Sequence, residues 1–458
     1  MGVFALTLKK FKIRYPIRKK SGEIKHLEEK TMLKKIIVFA LVLTLSVGML
    51  SALTFSTSAD VLYDGGTGTE ADPYVIATEA SLKALADAVN GGANQAGVFF
   101  KLGADITLTG EWTPIGLFDD SQSIDAPFCG SFNGMGHKID GLNITSTDKA
   151  SVGLFGSLGE NAVIKNVTVN GTITAHARFL GAVAGITLNN ATIQNCVSNV
   201  VIDAKTSKAF GDNVRMGGVV GFARGTNVIE YCVNNGKITV TQDADAAAIA
   251  TKAFVGGVVG DLATGTFKYC YNNADVEIKG VGTSYAAGLI SNISAEGAVI
   301  SDSFAKGNLT ATDRVSTGCN GGIVAQFGKA GTVTNCGYAG TIASPSADTF
   351  VGYLSGNTKG YPTFTNCKTT GDVLFGGSHA SKATATDCTT GVENIDDIEL
   401  AVKTAISEWV KVELPAAPEQ PENPDTADNV IVAVVVAVLS AFGMATVIYF
   451  KKSRANAL

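Results

Sequence analysis

The stretch 217–240 reads GGVVGFARGTNVIEYCVNNGKITV. Its parts GGVVGFA, VIEYC and KITV are three short apolar strands separated by Gly, Asn or polar residues. The opening phrase returns as VGLFG at 152–156, GAVAG at 181–185, GGVVG at 256–260, AGLIS at 287–291, GGIVA at 321–325 and VGYLS at 351–355. About 29–39 residues separate successive copies. Constant blocks with variable spacing mean one supersecondary unit per repeat, with loops of different length inserted.

A second block follows each phrase. Ile164, Ile193, Ile229, Phe267, Ile300, Val333, Phe364 and Ala385 form one column, and three residues later stand Val167, Cys196, Cys232, Cys270, Ser303, Cys336, Cys367 and Cys388. A Gly-rich column follows, and then Ile173, Ile202, Ile238, Val276, Leu309, Ile342 and Val373. Three strands per unit, each stacking on its counterpart in the next, predict an all-β fold: a right-handed parallel β-helix. A β-propeller would need four strands and blades of ~40–50 residues. About ten rungs spaced ~4.8 Å apart make a rod on the order of 50 Å long.

The first column and the cysteine column are an odd number of residues apart, so a straight strand would put them on opposite faces. Both are apolar, so the chain is expected to bend between them. The residue before the cysteine column is Asn166, Asn195, Asp302, Asn335, Asn366 or Asp387, with Tyr231 and Tyr269 in two copies. Asn and Asp tolerate corner backbone angles, and stacked Asn side chains can bond along the axis, so a partial Asn ladder is expected there. Cys196, Cys232, Cys270, Cys336, Cys367 and Cys388 share their column with Val and Ser, which favours buried free thiols over disulfides. None sits at zinc-ligand spacing, so no metal is expected.

Outside the repeats, residues 1–59 are an N-terminal extension plus secretory signal peptide, with cleavage placed after Ala59 and Met32 as the favoured true start. Residues 60–97 hold a leading strand and an amphipathic helix, with Thr78 as N-cap and Leu82, Leu85, Ala86 and Val89 on one face. That helix is expected to cap the first rung. The solenoid is assigned 98–392, with about two rungs before the repeats. A second capping helix is assigned 393–412, with Ile395, Ile398, Val402, Ala405 and Trp409 as its apolar stripe. A Pro/Glu-rich stalk follows at 413–425.

Residues 423–458 combine a short motif, an uncharged run from 430 to 450 long enough to cross a bilayer as a transmembrane helix, and a basic tail that stays cytoplasmic. Asn423, Pro424, Asp425, Thr426 and Ala427 resemble the LPxTG-like sorting signal of Gram-positive surface proteins, keeping its Pro and Thr. The resemblance implies a sortase as partner and linkage to the cell wall; simple retention of the span is the alternative.

The segment between the basic ends carries 22 positive and 38 negative charges. An acidic body is a poor nucleic-acid binder, because phosphate affinity comes from counterions released by Lys and Arg. The phrase Gly153-Leu154-Phe155-Gly156 and its copies, with YDGGTGTEADPYVI, EWTPIG and FNGMGHKIDGLNI before them, resemble bacterial surface proteins carrying GLUG repeats. That resemblance implies a β-helical extracellular region of the kind found in adhesins and beside peptidase domains, with no activity of its own.

No HExxH, GxSxG or phosphate loop is present, and only His137, His176 and His379 follow Ala59. His137 reads as a surface corner residue. Asp119, Asp120, Asp125, Asp243 and Asp245 are the densest loop acids and read as solvated. The segment 64–72 departs from EF-hand spacing. No catalytic residue and no cofactor is therefore assigned. The expected function is surface display of a binding or adhesion module for a glycan or a host or matrix protein, met on a rod side or the loops near 118–126, 203–214 and 241–253. The alternative is a glycan-active enzyme, such as a polysaccharide lyase or hydrolase, which needs three or more ionisable residues from adjacent rungs in one groove. A pure spacer is the third reading.

Overall fold

The computed structural model describes residues 62–118, 126–145, 149–206, 213–242, 252–312, 318–344 and 350–413. The chain winds as a parallel β-helix with three faces, as one turn illustrates. Asn213–Gly217 lies on the first face and Val220–Glu230 on the second, and Val233–Asn234 with Ile238–Gln242 lies on the third. Each strand pairs in parallel with its counterpart one repeat on: Arg215 with Phe254, Ile229 with Phe267, Ile238 with Val276. Parallel stacking of successive repeats rules out a propeller, whose blades are separate sheets.

The aligned columns are physical stacks. Ile164, Ile193, Ile229, Phe267, Ile300, Val333, Phe364 and Ala385 are successive register partners on the second face. Ile173, Ile202, Ile238, Val276, Leu309 and Ile342 are register partners on the third. Val373 leaves its predicted stack: it is 48% exposed, and its carbonyl accepts from the Tyr353 N–H. Among the described residues the second-face path holds eleven strands but the first face only seven, so the expected ten rungs reduce to seven complete turns. Before residue 151 no first-face strand occurs among the described residues, and the chain touches the stack through single bridges, Ile115 to Phe155 and Phe128 to Leu158.

The expected bend is present in every copy. Asn166, Asn195, Tyr231, Tyr269, Asp302, Asn335, Asn366 and Asp387 all have φ between 47° and 59°. The left-handed turn lets Ile and Cys, an odd spacing apart, both face inward. The opening phrase makes the corner between the first and second faces. There a Cβ on Gly217 would lie 2.1 Å from the Val220 oxygen, so glycine is required.

Helix α1 (Glu79–Asn90) starts at its expected N-cap, Thr78. Thr78 and Ser81 form a reciprocal capping box, and Asp64 accepts from Ser81 Oγ at 2.6 Å and the Ala77 N–H at 2.7 Å. The acid that opens the 64–72 segment is thus committed to the helix start. Leu82, Leu85, Ala86 and Val89 are buried in the solenoid's apolar cluster at its leading end.

Helix α2 (Asp396–Glu413) begins three residues later than predicted, with Asn394 Oδ1 accepting from the Asp396 N–H. Its assignment as a C-terminal cap is corrected by its contacts. It does not close the end of the solenoid but lies lengthwise against the third face, running back toward earlier turns. Asp397 pairs with Lys368, Ile398 packs over Gly337, Val402 clusters with Phe304 and Tyr271, and Trp409 stacks on Tyr231 at 4.5 Å. The geometry is commensurate: twelve helical residues rise about 18 Å, and the four turn spacings they cross span about 19 Å.

Among the described residues no helix is long and apolar enough to cross a membrane. The signal peptide with Ala59, the stalk, the sorting motif Asn423–Ala427 and the apolar run 430–450 lie outside the described residues.

Candidate functional site

Outward positions of the third face build the candidate site. After each corner the pleat sends the cysteine-column residue inward, the next residue outward, the next inward and the next outward again. In the Asn234-Asn235 pair this divides two like side chains between two roles. Asn234 is fully buried: its amide donates to the Gly236 carbonyl at 3.1 Å and to Asn272 Oδ1 at 2.9 Å, and accepts from the Gly236 N–H at 3.2 Å. It thereby satisfies backbone where the third face breaks between 234 and 238. Gly218 faces it, and a Cβ there would sit 2.3 Å from the Asn234 Cγ.

Asn235 points to solvent in a row of amides. Asn170 donates to Asp140, Asn199 donates to Asn170 Oδ1 at 2.6 Å, and Asn235 donates to Asn199 Oδ1 at 2.9 Å. The register then places Asn273 and Lys306 next in the same row. Asn199, Asn235, Asn273 and Lys306 are exposed. This outer amide row was not foreseen; the repeated NN at 234–235 and 272–273 was its signal in the sequence. The expected ladder at the corners is also present, in two runs. Asn133, Asn166 and Asn195 are linked at 2.9–3.0 Å, and Asp302, Asn335 and Asn366 at 2.9 Å. Between the runs, Tyr231 and Tyr269 stack at 4.9 Å instead.

The amide row runs into a groove of about 260 Å³ between the wall and α2, lined by Val233, Asn235, Tyr271, Asn273, Lys306, Lys403 and Ile406. Glu399 holds it in shape. Its Oε1 accepts from Tyr271 OH at 2.6 Å, from Lys306 at 3.0 Å and from Lys403 at 2.6 Å. Burial works to raise the Glu399 carboxyl, but these three donors outweigh it and hold it at about 2. Burial and donation to that carboxylate push Tyr271 up. Two lysines against one carboxylate leave the groove cationic, with amides and two apolar side chains at its edges.

The remaining sequence candidates are dispersed. His137 lies at a corner beside Asp105, 3.0 Å from Nδ1 to Oδ1. Among the described residues no three His, Cys, Asp or Glu side chains are grouped to hold a metal. Asp119, Asp120, Asp125, Asp243 and Asp245 fall outside the described residues. The described residues beside those loops do converge, however. Arg215, between Phe179, Phe222 and Phe254, pairs at 2.8 Å with Asp261, which is fully buried. This cluster forms a second, outer apolar patch with Phe118 and Ile186. Cys196, Cys232, Cys270, Cys336 and Cys367 are buried thiols, and Cys388 is a half-buried thiol on the last turn.

No family model matches the chain. Over 134 residues, 27% of this chain and 14% of the relative, it is 33% identical to a protein of Evansella cellulosilytica provisionally named a Gly-rich membrane protein. Over 158 residues, 34% of this chain and 2% of the relative, it is 30% identical to the halomucin of Haloquadratum walsbyi. The chain thus spans only a small part of the curated relatives it matches. A crystal structure from Bacteroides ovatus, provisionally named an immunoglobulin A1 protease, covers 75% of this chain and 91% of its own at 18% identity and a TM-score of 0.49.

Proposed function

We propose that this chain is a surface-displayed β-helical binding protein whose ligand is an extracellular glycan laid along the amide row and into the α2 groove. The observation that carries the reading is the row Asn199, Asn235, Asn273, Lys306: exposed hydrogen-bonding groups repeated at the turn spacing and ending in an open, cationic groove. Amides offer donors and acceptors at one fixed orientation, which suits repeated hydroxyls. Display is supported by the export and anchoring signals read in residues 1–59 and 423–458, by the GLUG-like repeats, and by partial similarity to proteins named as a membrane protein and a halomucin.

Binding is favoured over glycan cleavage by the state of the groove's ionisable groups. Tyr271, Lys306, Glu399 and Lys403 converge, but Glu399, at about 2, is a weak base at neutral pH, and Tyr271 is spent in donating to it. The test is a glycan and matrix-protein panel on the full chain, with product analysis of the same glycans. Retained glycan, no products, and affinity about thirtyfold weaker in the Asn199→Ala/Asn235→Ala variant are expected, each of the two lost hydrogen bonds contributing about 1 kcal/mol. Unchanged affinity in that variant, or released oligosaccharides, would overturn the reading.

A further inference from the structure

Because α2 lies on the third face, the last strand of the second-face stack is left uncovered. Among the described residues Thr384–Thr386 pairs only backward, with Thr363–Thr365, and all three of its residues are exposed. An unprotected edge strand frays and offers its free backbone groups to other chains.

The cysteine column ends on this strand's turn. Thr365 pairs with Thr386 and Lys368 bridges Thr389, which sets Cys367 and Cys388 side by side in register. Neighbouring parallel strands lie ~4.8 Å apart, inside the ~4.4–6.8 Å Cα range of a disulfide. The other neighbouring pairs, Cys196 with Cys232, Cys232 with Cys270 and Cys336 with Cys367, are fully buried on both sides. Cys388 alone in the column is half exposed, so it is the one column sulfur that an oxidant in solution can reach. A hydrogen bond from Cys367 lowers the Cys388 thiol, which favours its thiolate, and the same bond raises Cys367. Cys129, the other half-exposed cysteine, is raised by burial instead.

We infer that Cys388 and Cys367 form a redox-responsive staple that locks the final turn onto the one before it. The oxidant is a small disulfide such as glutathione disulfide. The Cys388 thiolate attacks one of its sulfurs, forming a mixed disulfide and expelling one thiolate, which is protonated. Cys367 then attacks the Cys388 sulfur and gives up its proton to the departing glutathione thiolate, forming the 367–388 bond and releasing the second thiol. Two protein thiols are oxidised to one disulfide, and one small disulfide is reduced to two thiols.

The test treats the native full chain with glutathione disulfide, alkylates it, and maps the products by mass. The expected product lacks two thiols, carries a 367–388 cross-link in its peptide map, and yields six labelled cysteines on denaturation. Cys367→Ser should instead trap a stable glutathione adduct on Cys388, and Cys388→Ser should leave Cys367 unreacted until denaturation. In wild type, hydrogen exchange over 384–389 should slow after oxidation and recover on reduction. A persistent glutathione adduct on wild-type Cys388, a bond to Cys129 or between two chains, or no reaction in the native state would each overturn the inference. The wild-type map is decisive even if a variant folds poorly.

Discussion

Asn195 shows what one corner residue does. At φ 49° it turns the chain so that Ile193 and Cys196 both enter the core, while its amide donates to Asn166 at 2.9 Å. A β-branched residue loses both the conformation and the bond; glycine loses only the bond. Asn195→Val is therefore expected to destabilise by about 2–3 kcal/mol and Asn195→Gly by about 1 kcal/mol, measured by urea unfolding. Equal losses would show that the ladder, not the backbone, matters. The bend was legible because an odd spacing between two apolar columns has no straight-strand solution. Tyr231 and Tyr269 take the same left-handed angle without an amide. Their stacking, extended by Trp409, compensates, and no local pattern announces it.

At the scale of the element, α2 is held by an apolar stripe and by Glu399. The helix was legible from its period, but the surface it covers was not, because its partners lie far back in the chain. The overlooked sign is at the outward positions after the cysteine column: Val233, Tyr271 and Phe304 are apolar where a solvated strand face should be polar. Val402→Asp is expected to release the helix and leave the solenoid folded, seen as fast hydrogen exchange confined to 396–409 and to the wall beneath it. The pH response follows from Glu399, at about 2 when docked against its ordinary 4.5. A carboxyl lowered by folding stabilises fully above its unfolded value and loses that contribution as pH falls toward the folded one. Docking should therefore weaken from about pH 4.5 down to about pH 2, read as a change in Trp409 fluorescence as it leaves Tyr231. Asp397, lowered by the hydrogen bond from Lys368, adds a smaller part, so Glu399→Gln should flatten most of the transition.

In the whole molecule, stability is shared between neighbours, since no turn buries its apolar side without the next. Val219 and Val258 occupy equivalent buried positions one turn apart and are joined by the hydrogen bond from the Val219 N–H to the Val258 carbonyl at 3.0 Å. Asp at either position places an unpaired charge in the core, with an expected loss above about 4 kcal/mol. Hydrogen exchange should then rise in the turns on both sides as well as in the altered one; a rise confined to one turn would mean the turns are energetically independent.

The repeated phrase and its columns determined the parallel β-helix by themselves, since a period carried over many copies leaves few ways to bury one small apolar set per turn. Composition likewise bounded the kinds of function open to the chain. Only the tertiary structure decided that α2 lies along the side rather than over the end, that Asn199, Asn235, Asn273 and Lys306 form one row, and that Cys388 is left at an open edge. Those facts depend on contacts between residues tens to more than a hundred positions apart. Local pattern records which face of an element is apolar, not which distant surface meets it.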